Sequence, residues 1–231
     1  MLSSPALDLS GNLYFGAGNG YCYSLTDNEN NATLNWKFLT GDRVDASPIL
    51  GLNEEVLFVS RDGYIRSLST LSGGLNWDAF VGDVFYSSPV VDENGRTYVI
   101  GYTGGGQNHL FAFDANGSKA WDTNDTNCPF GIGGLVDSSL ALSADGKLYY
   151  GCFDNRLYCL NLGVGPAASD WPMFQRSSRR DGAWPSYLLE ISVSPSSVAT
   201  ASGGGIYNQG ATAKISLNNI SQGYSFNRWS G

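Results

Sequence analysis

The chain has 231 residues, with 21 acidic and 13 basic side chains and a formal net charge of -8. That balance excludes nucleic acid and anionic membrane surfaces as natural partners. Only 15% of residues are charged, whereas glycine alone accounts for 30, the composition of a turn-rich all-β protein rather than a disordered one.

Taken in order, the first unit predicts strand A over Pro5 to Leu9, a turn at Ser10-Gly11-Asn12, and strand B over Leu13 to Ala17. Gly18-Asn19-Gly20 reads as a hairpin with a type I′ turn, because Asn-Gly accepts positive φ. Strand C follows over Tyr21 to Leu25, and strand D lies around Leu34 to Phe38. The second unit repeats this from Ser47 to about Phe80, with Arg61-Asp62-Gly63 at the B–C turn. The third runs from Ser87 to Trp121, and the fourth starts at Ser138 after an irregular insert at Thr123 to Leu135. Four short antiparallel strands in about 40 residues, written four times, is the unit of a β-propeller blade.

Aligning strand C of each unit sorts its residues. Cys22, Ile65, Leu110 and Leu157 fall together, as do Leu25, Leu68, Phe113 and Leu160. Ser24, Ser67, Ala112 and Cys159 form a third set of small residues. Alternate burial explains all three. Trp36, Trp77 and Trp121 recur at spacings of 41 and 44 residues, which points to packing between blades. Trp171 is expected in the same role, as the outer strand of the fourth blade. Each strand A opens on Ser-Pro or Ser-Leu. Proline has no donor and fits the first strand residue, and small serines let strands crowd at an axis.

Chemistry-bearing residues are sparse. Cys22, Cys128, Cys152 and Cys159 form no C-x-x-C pair or zinc spacing and read as thiols, with a disulfide from Cys152 to Cys128 or Cys159 left open. His109, the single histidine, begins a strand and has no G-x-S-x-G elbow to serve. Gly104-Gly105-Gly106 matches no phosphate loop. Asp122 to Asp125 offers oxygen ligands that suit Ca²⁺, although a polar loop accounts for it. Arg176, Arg179 and Arg180 form a basic cluster in a closing loop. No catalytic, cofactor-binding or metal-ligating residue is assigned. The loops before each strand A hold the candidates for ligand contact, Asp45, Tyr86 and Asp137, since recognition on a propeller sits in the loops of one face.

The repeat Ser-Ser-Pro, Gly-x-Leu-Tyr-x-Gly, Leu-Tyr-x-Leu and Trp, closed by Trp171-Pro172-Met173-Phe174, resembles the pyrrolo-quinoline-quinone-like (PQQ-like) propeller repeat. The resemblance covers residues 1–184. Residues 185–231, ending on Gly223-Tyr224-x-Phe226-x-x-Trp229-Ser230-Gly231, form a small β module similar to internalin-type bacterial surface repeats. The family usually has seven or eight blades, so four imply part of a larger ring. The resemblance implies a non-catalytic binding scaffold, exported to the cell surface or periplasm, with a protein or carbohydrate ligand and no cofactor. One alternative is a fragment of a PQQ- and Ca²⁺-dependent quinoprotein dehydrogenase, although the family's adjacent cysteine pair is missing. Another is an envelope assembly factor. No apolar run reaches the roughly 20 residues of a membrane-spanning helix.

Overall fold

The computed structural model describes residues 3–28, 30–83, 86–103, 108–123 and 135–176, together with four strands beyond them. The chain forms two compact units, Met1–Gly182 and Ala183–Gly231.

The first unit is an array of antiparallel sheets, the blades of a β-propeller fold. Blade 1 contains β1 (Ala6–Leu7), β2 (Asn12–Gly16), β3 (Tyr21–Asp27) and β4 (Ala32–Leu39). Blade 2 contains β5 (Ile49–Leu50), β6 (Glu55–Val59), β7 (Tyr64–Ser69) and β8 (Leu75–Phe80). Blade 3 contains β9 (Val90–Val91), β10 (Thr97–Tyr102), β11 (Asn108–Phe113) and β12 (Lys119–Asp122). Blade 4 has β13 (Ala141–Leu142), β14 (Lys147–Cys152) and β15 (Arg156–Asn161), and no fourth strand among the described residues. In each sheet, strands pair in chain order. The second unit shows β16 (Ser186–Leu189) paired with β18 (Gly205–Asn208), and β17 (Thr200–Ser202) paired with β19 (Ser216–Asn218).

Period-2 alternation sends successive residues to opposite faces of a sheet, and in blades 2 and 3 both faces are covered. Tyr14 and Cys22 meet Leu50, Val56, Phe58 and Leu68 between blades 1 and 2. Ile49, Leu57 and Ile65 meet Val91, Val99 and Phe113 between blades 2 and 3. Tyr98, Ile100 and Leu110 meet Leu142, Leu148, Tyr150 and Leu160 between blades 3 and 4. The third sequence set now has its reason. Ser24, Ser67 and Ala112 lie directly across from Trp36, Trp77 and Trp121, and a bulge follows each small residue. A large ring on one strand is matched by a small side chain on its neighbour.

Serines stitch the strand A starts together. Ser4 N–H donates to Ser47 Oγ at 2.8 Å, Ser47 N–H to Ser88 Oγ at 2.9 Å, and Ser88 N–H to Ser139 Oγ at 3.2 Å.

Two expectations are corrected. The hairpin at Asn19 is not type I′, which would need positive φ at both central residues. Only Gly20 is positive, at 81°, with Gly20 N–H bonded to Ala17 O, so the turn is type I followed by a glycine bulge. Trp171 does not extend the fourth blade. After Leu162 the chain leaves that sheet and runs as a strap along the inner strands. Glu93 N–H donates to Gly165 O, Ala167 N–H to Val91 O, Leu50 N–H to Trp171 O, and Val91 N–H to Pro172 O, at 2.7–3.0 Å. Apolar burial drives the detour, because the strap drops one side chain into each seam. Trp171 enters the seam of blades 1 and 2, Ala167 that of blades 2 and 3, and Met173 that of blades 3 and 4.

Candidate functional site

A cleft of about 350 Å³ opens where the A–B turns of blades 1 and 2 meet the strap. In each blade the A–B turn spans five residues. In blades 1, 3 and 4 a side-chain oxygen begins it and a glycine is its fourth residue. Asp8 and Asp92 carboxylates each accept two backbone N–H bonds from their own turns, and Ser143 accepts one from Lys147 N–H. Gly11, Gly95 and Gly146 supply φ values of 80–84°. Asp8 and Asp92 also accept the hydroxyls of Tyr14 and Tyr98, at 3.0 and 2.9 Å. Burial first, then the neighbouring carboxylate, raises both phenols well above their ordinary range.

Blade 2 breaks this pattern at every position. Gly51 replaces the aspartate and Leu57 the tyrosine. Glu54 stands where the others have glycine, and both Asn53 and Glu54 have positive φ, at 59° and 57°. Non-glycine residues are rarely held in that region. The space vacated at Gly51 is filled by Glu55: a Cβ built on Gly51 would meet Glu55 Oε1. Glu55 is 8% exposed and accepts a 2.6 Å hydrogen bond from Ser67 Oγ, which in turn accepts one from Asn76 Nδ2. Burial raises the Glu55 carboxyl above its usual value, and the Ser67 bond opposes part of that rise.

The cleft is therefore walled by Asp8, Glu54, Glu55 and Asp170, with Ser10, Asn12, Thr70 and Ser169 between them and Leu50, Leu52 and Leu71 as apolar surface. Asp170 is held in place by Leu9 N–H at 2.9 Å, and Ser169 Oγ donates to Leu50 O at 2.6 Å. Among the described residues, no lysine, arginine or histidine lines it. It is a cleft of oxygen acceptors and hydroxyls, suited to ligands that donate hydrogen bonds.

The face-loop residues chosen from the sequence lie at the other end of the blades, with the B–C turns. Asp45 is buried, with Arg61 Nε 2.7 Å from its Oδ2 and Arg43 Nη2 3.3 Å from its Oδ1. The Arg61 contact is a charge pair whose N–H is not aligned as a hydrogen bond. Arg61 also donates to Tyr86 Oη at 3.3 Å and sits 5.4 Å from the centre of its ring. Arg61 thus joins Asp45 to Tyr86. Asp137, half-buried before blade 4, has no hydrogen bond or ion pair to either among the described residues.

Trp36 is buried against the C–D turn of the next blade, where its indole N–H donates to Thr70 O at 2.8 Å. A Cβ at Gly73 would stand 2.6 Å from that ring, and one at Gly117 would stand 2.6 Å from Trp77. Trp121 lies 5.9 Å from Tyr98, and Trp171 is buried in the first seam. Cys22, Cys152 and Cys159 are free thiols. His109 is a buried strand residue beside Phe111. Gly104–Gly106, Asp125, Cys128, Arg179 and Arg180 lie outside the described residues. Asp122 forms a 2.6 Å ion pair with Lys119.

Sequence reasoning missed the cleft because its walls come from the turns of two blades and from a strap at the far end of the first unit. The readable signal was the departure of Gly51 and Leu57 from the Asp–Tyr pairing of the first and third repeats.

No family model matches this chain, and no curated protein does. Among solved structures, BamB from Moraxella catarrhalis superposes with a TM-score of 0.47 at 16% identity, over 95% of this chain and 77% of that one. No residue role transfers at that distance. No helix among the described residues is long and apolar enough to cross a membrane.

Proposed function

We propose that this chain is a binding propeller rather than an enzyme, and that the acidic, hydroxyl-lined cleft between blades 1 and 2 holds a short neutral saccharide at the cell surface or in the periplasm. The observation that carries the reading is the break in the repeat at Gly51 to Glu55, located at the cleft. A repeat protein departs from its own local rules where a site demands it. Sugar hydroxyls donate well to carboxylates, and apolar Leu52 and Leu71 accept a sugar's C–H face. A cleft of this size suits a small ligand. Export, and the kinship of residues 185–231 with bacterial surface modules, belong to the same reading.

The reading needs no cofactor. PQQ is a polycarboxylate, and a cleft walled by Asp8, Glu54, Glu55 and Asp170 repels it. Spectroscopic titration with PQQ and Ca²⁺ is expected to show no saturable change. The direct test is calorimetry of the chain against a panel of neutral cell-surface oligosaccharides, beside Ser10→Trp, which fills the cleft. Binding by the parent chain and loss of it in Ser10→Trp support the proposal. No binding by the parent, or equal binding by both, sinks it.

A further inference from the structure

Among the described residues, blades 1 and 4 each leave one face uncovered. The position of Leu157 is occupied by Cys22, Ile65 and Leu110 in the first three blades, each 0% exposed under the next blade, whereas Leu157 is 73% exposed. On the opposite side of blade 1, Leu13, Phe15 and Leu25 are half-exposed. Their counterparts Val56, Phe58 and Leu68 in blade 2 are buried by the preceding blade.

The two bare faces are matching halves of the seam this chain builds three times. At every internal seam the residue equivalent to Leu157 shares a cluster with the residue equivalent to Phe15: Cys22 with Phe58, Ile65 with Val99, and Leu110 with Tyr150. They also match in what they lack. At the first two seams a tryptophan from strand D packs on a glycine in the next blade's C–D turn, Trp36 on Gly73 and Trp77 on Gly117. Blade 4 has no such strand among the described residues, and its next tryptophan, Trp171, is spent on another seam. Blade 1 has no glycine in its C–D turn, where the chain reads Asn28-Glu29-Asn30-Asn31. Blade 1 thus offers no glycine seat of the kind found at the first two seams, and among the described residues blade 4 offers no strand D ring to fill one.

We propose that the occupant of both faces is a second copy of this chain, with blade 4 of each copy packed on blade 1 of the other. Two head-to-tail contacts of one kind then close a ring of eight blades, since heterologous contacts make rings when their rotation closes.

The test is the mass of the full chain in solution, by light scattering or sedimentation. Twice the chain mass is expected. Leu157→Arg and Phe15→Glu should each weaken self-association by more than about a hundredfold, because each buries an unpaired charge in the seam. Leu157→Arg, on an exposed residue, should leave circular dichroism and melting of the monomer intact. Mixing the two variants should restore a dimer, one seam being native and the other pairing Arg with Glu. A parent chain that stays monomeric at about 100 µM, where weak specific contacts are populated, overturns the proposal. So does a Leu157→Arg variant that dimerises as the parent does.

Discussion

Leu110 in blade 3 and Leu157 in blade 4 hold the same place in equivalent strands, β11 and β15, yet one is 0% and the other 73% exposed. Their local sequences call for the same environment, and only the neighbour differs. In this fold a strand is not buried by its own amphipathicity, as in a one-sided sheet. It is buried by the arrival of the next blade, so burial is a property of seams.

The largest expected effect tests that contrast directly. Leu110→Ala should cost about 2–5 kcal/mol in urea unfolding, the range for a large side chain removed from a closed core. Leu157→Ala should cost less than about 0.5 kcal/mol in the monomer, as for other surface changes. Equal losses would show that the fourth blade's open face is covered within the chain itself.

Next comes the tryptophan seat. Gly73→Ala places a methyl 2.6 Å from the Trp36 ring at a φ of 68°, so both overpacking and backbone strain oppose it. A loss of about 1–3 kcal/mol is expected, with a red-shifted or broadened tryptophan emission as the buried ring is displaced toward water.

A smaller effect of opposite sign comes from comparing A–B turns. Glu54 occupies a left-handed position that the other three blades give to glycine. Glu54→Gly should relieve strain on the order of 1 kcal/mol, partly offset by the extra freedom of the unfolded chain. A net gain in stability, together with altered ligand binding at the cleft, would mark the strain as retained for function.

The smallest effect is a slope. Burial holds the Glu55 carboxyl above its ordinary value. Folding therefore favours its protonated form. Its contribution is whole below the unfolded carboxyl's pKa of about 4.3 and fades as pH rises through the folded value. Glu55→Gln should flatten stability against pH across that window. An unchanged slope would show the carboxylate to be better solvated than its 8% exposure implies.

The blades were legible because their signals are local. Alternation in Tyr21–Asp27, the turn glycines and the Ser-Pro starts each lie within one repeat. The tryptophans were readable as packing residues from spacing alone. The glycines that seat them were not, because Gly73 and Gly117 face rings from another blade. Trp171 was misplaced for the same reason. It follows blade 4 in the chain, but apolar burial takes it to the opposite end of the array. The cleft was illegible until β5 and the strap were brought together, since no single stretch contains even half of its wall.

The strap also sets an order of events. Leu50 waits for Ser169, 119 residues later, and Leu9 waits for Asp170, 161 residues later. During synthesis the early blades are made long before the segment that satisfies their inner strands. The nascent array therefore carries unpaired strand edges of the kind that attract foreign strands, and its first seam stays unsealed until one late tryptophan arrives. A ribosome stalled before Trp171 would display a sticky half-product, so the time spent between Leu50 and Trp171 is the period in which this chain most needs a chaperone.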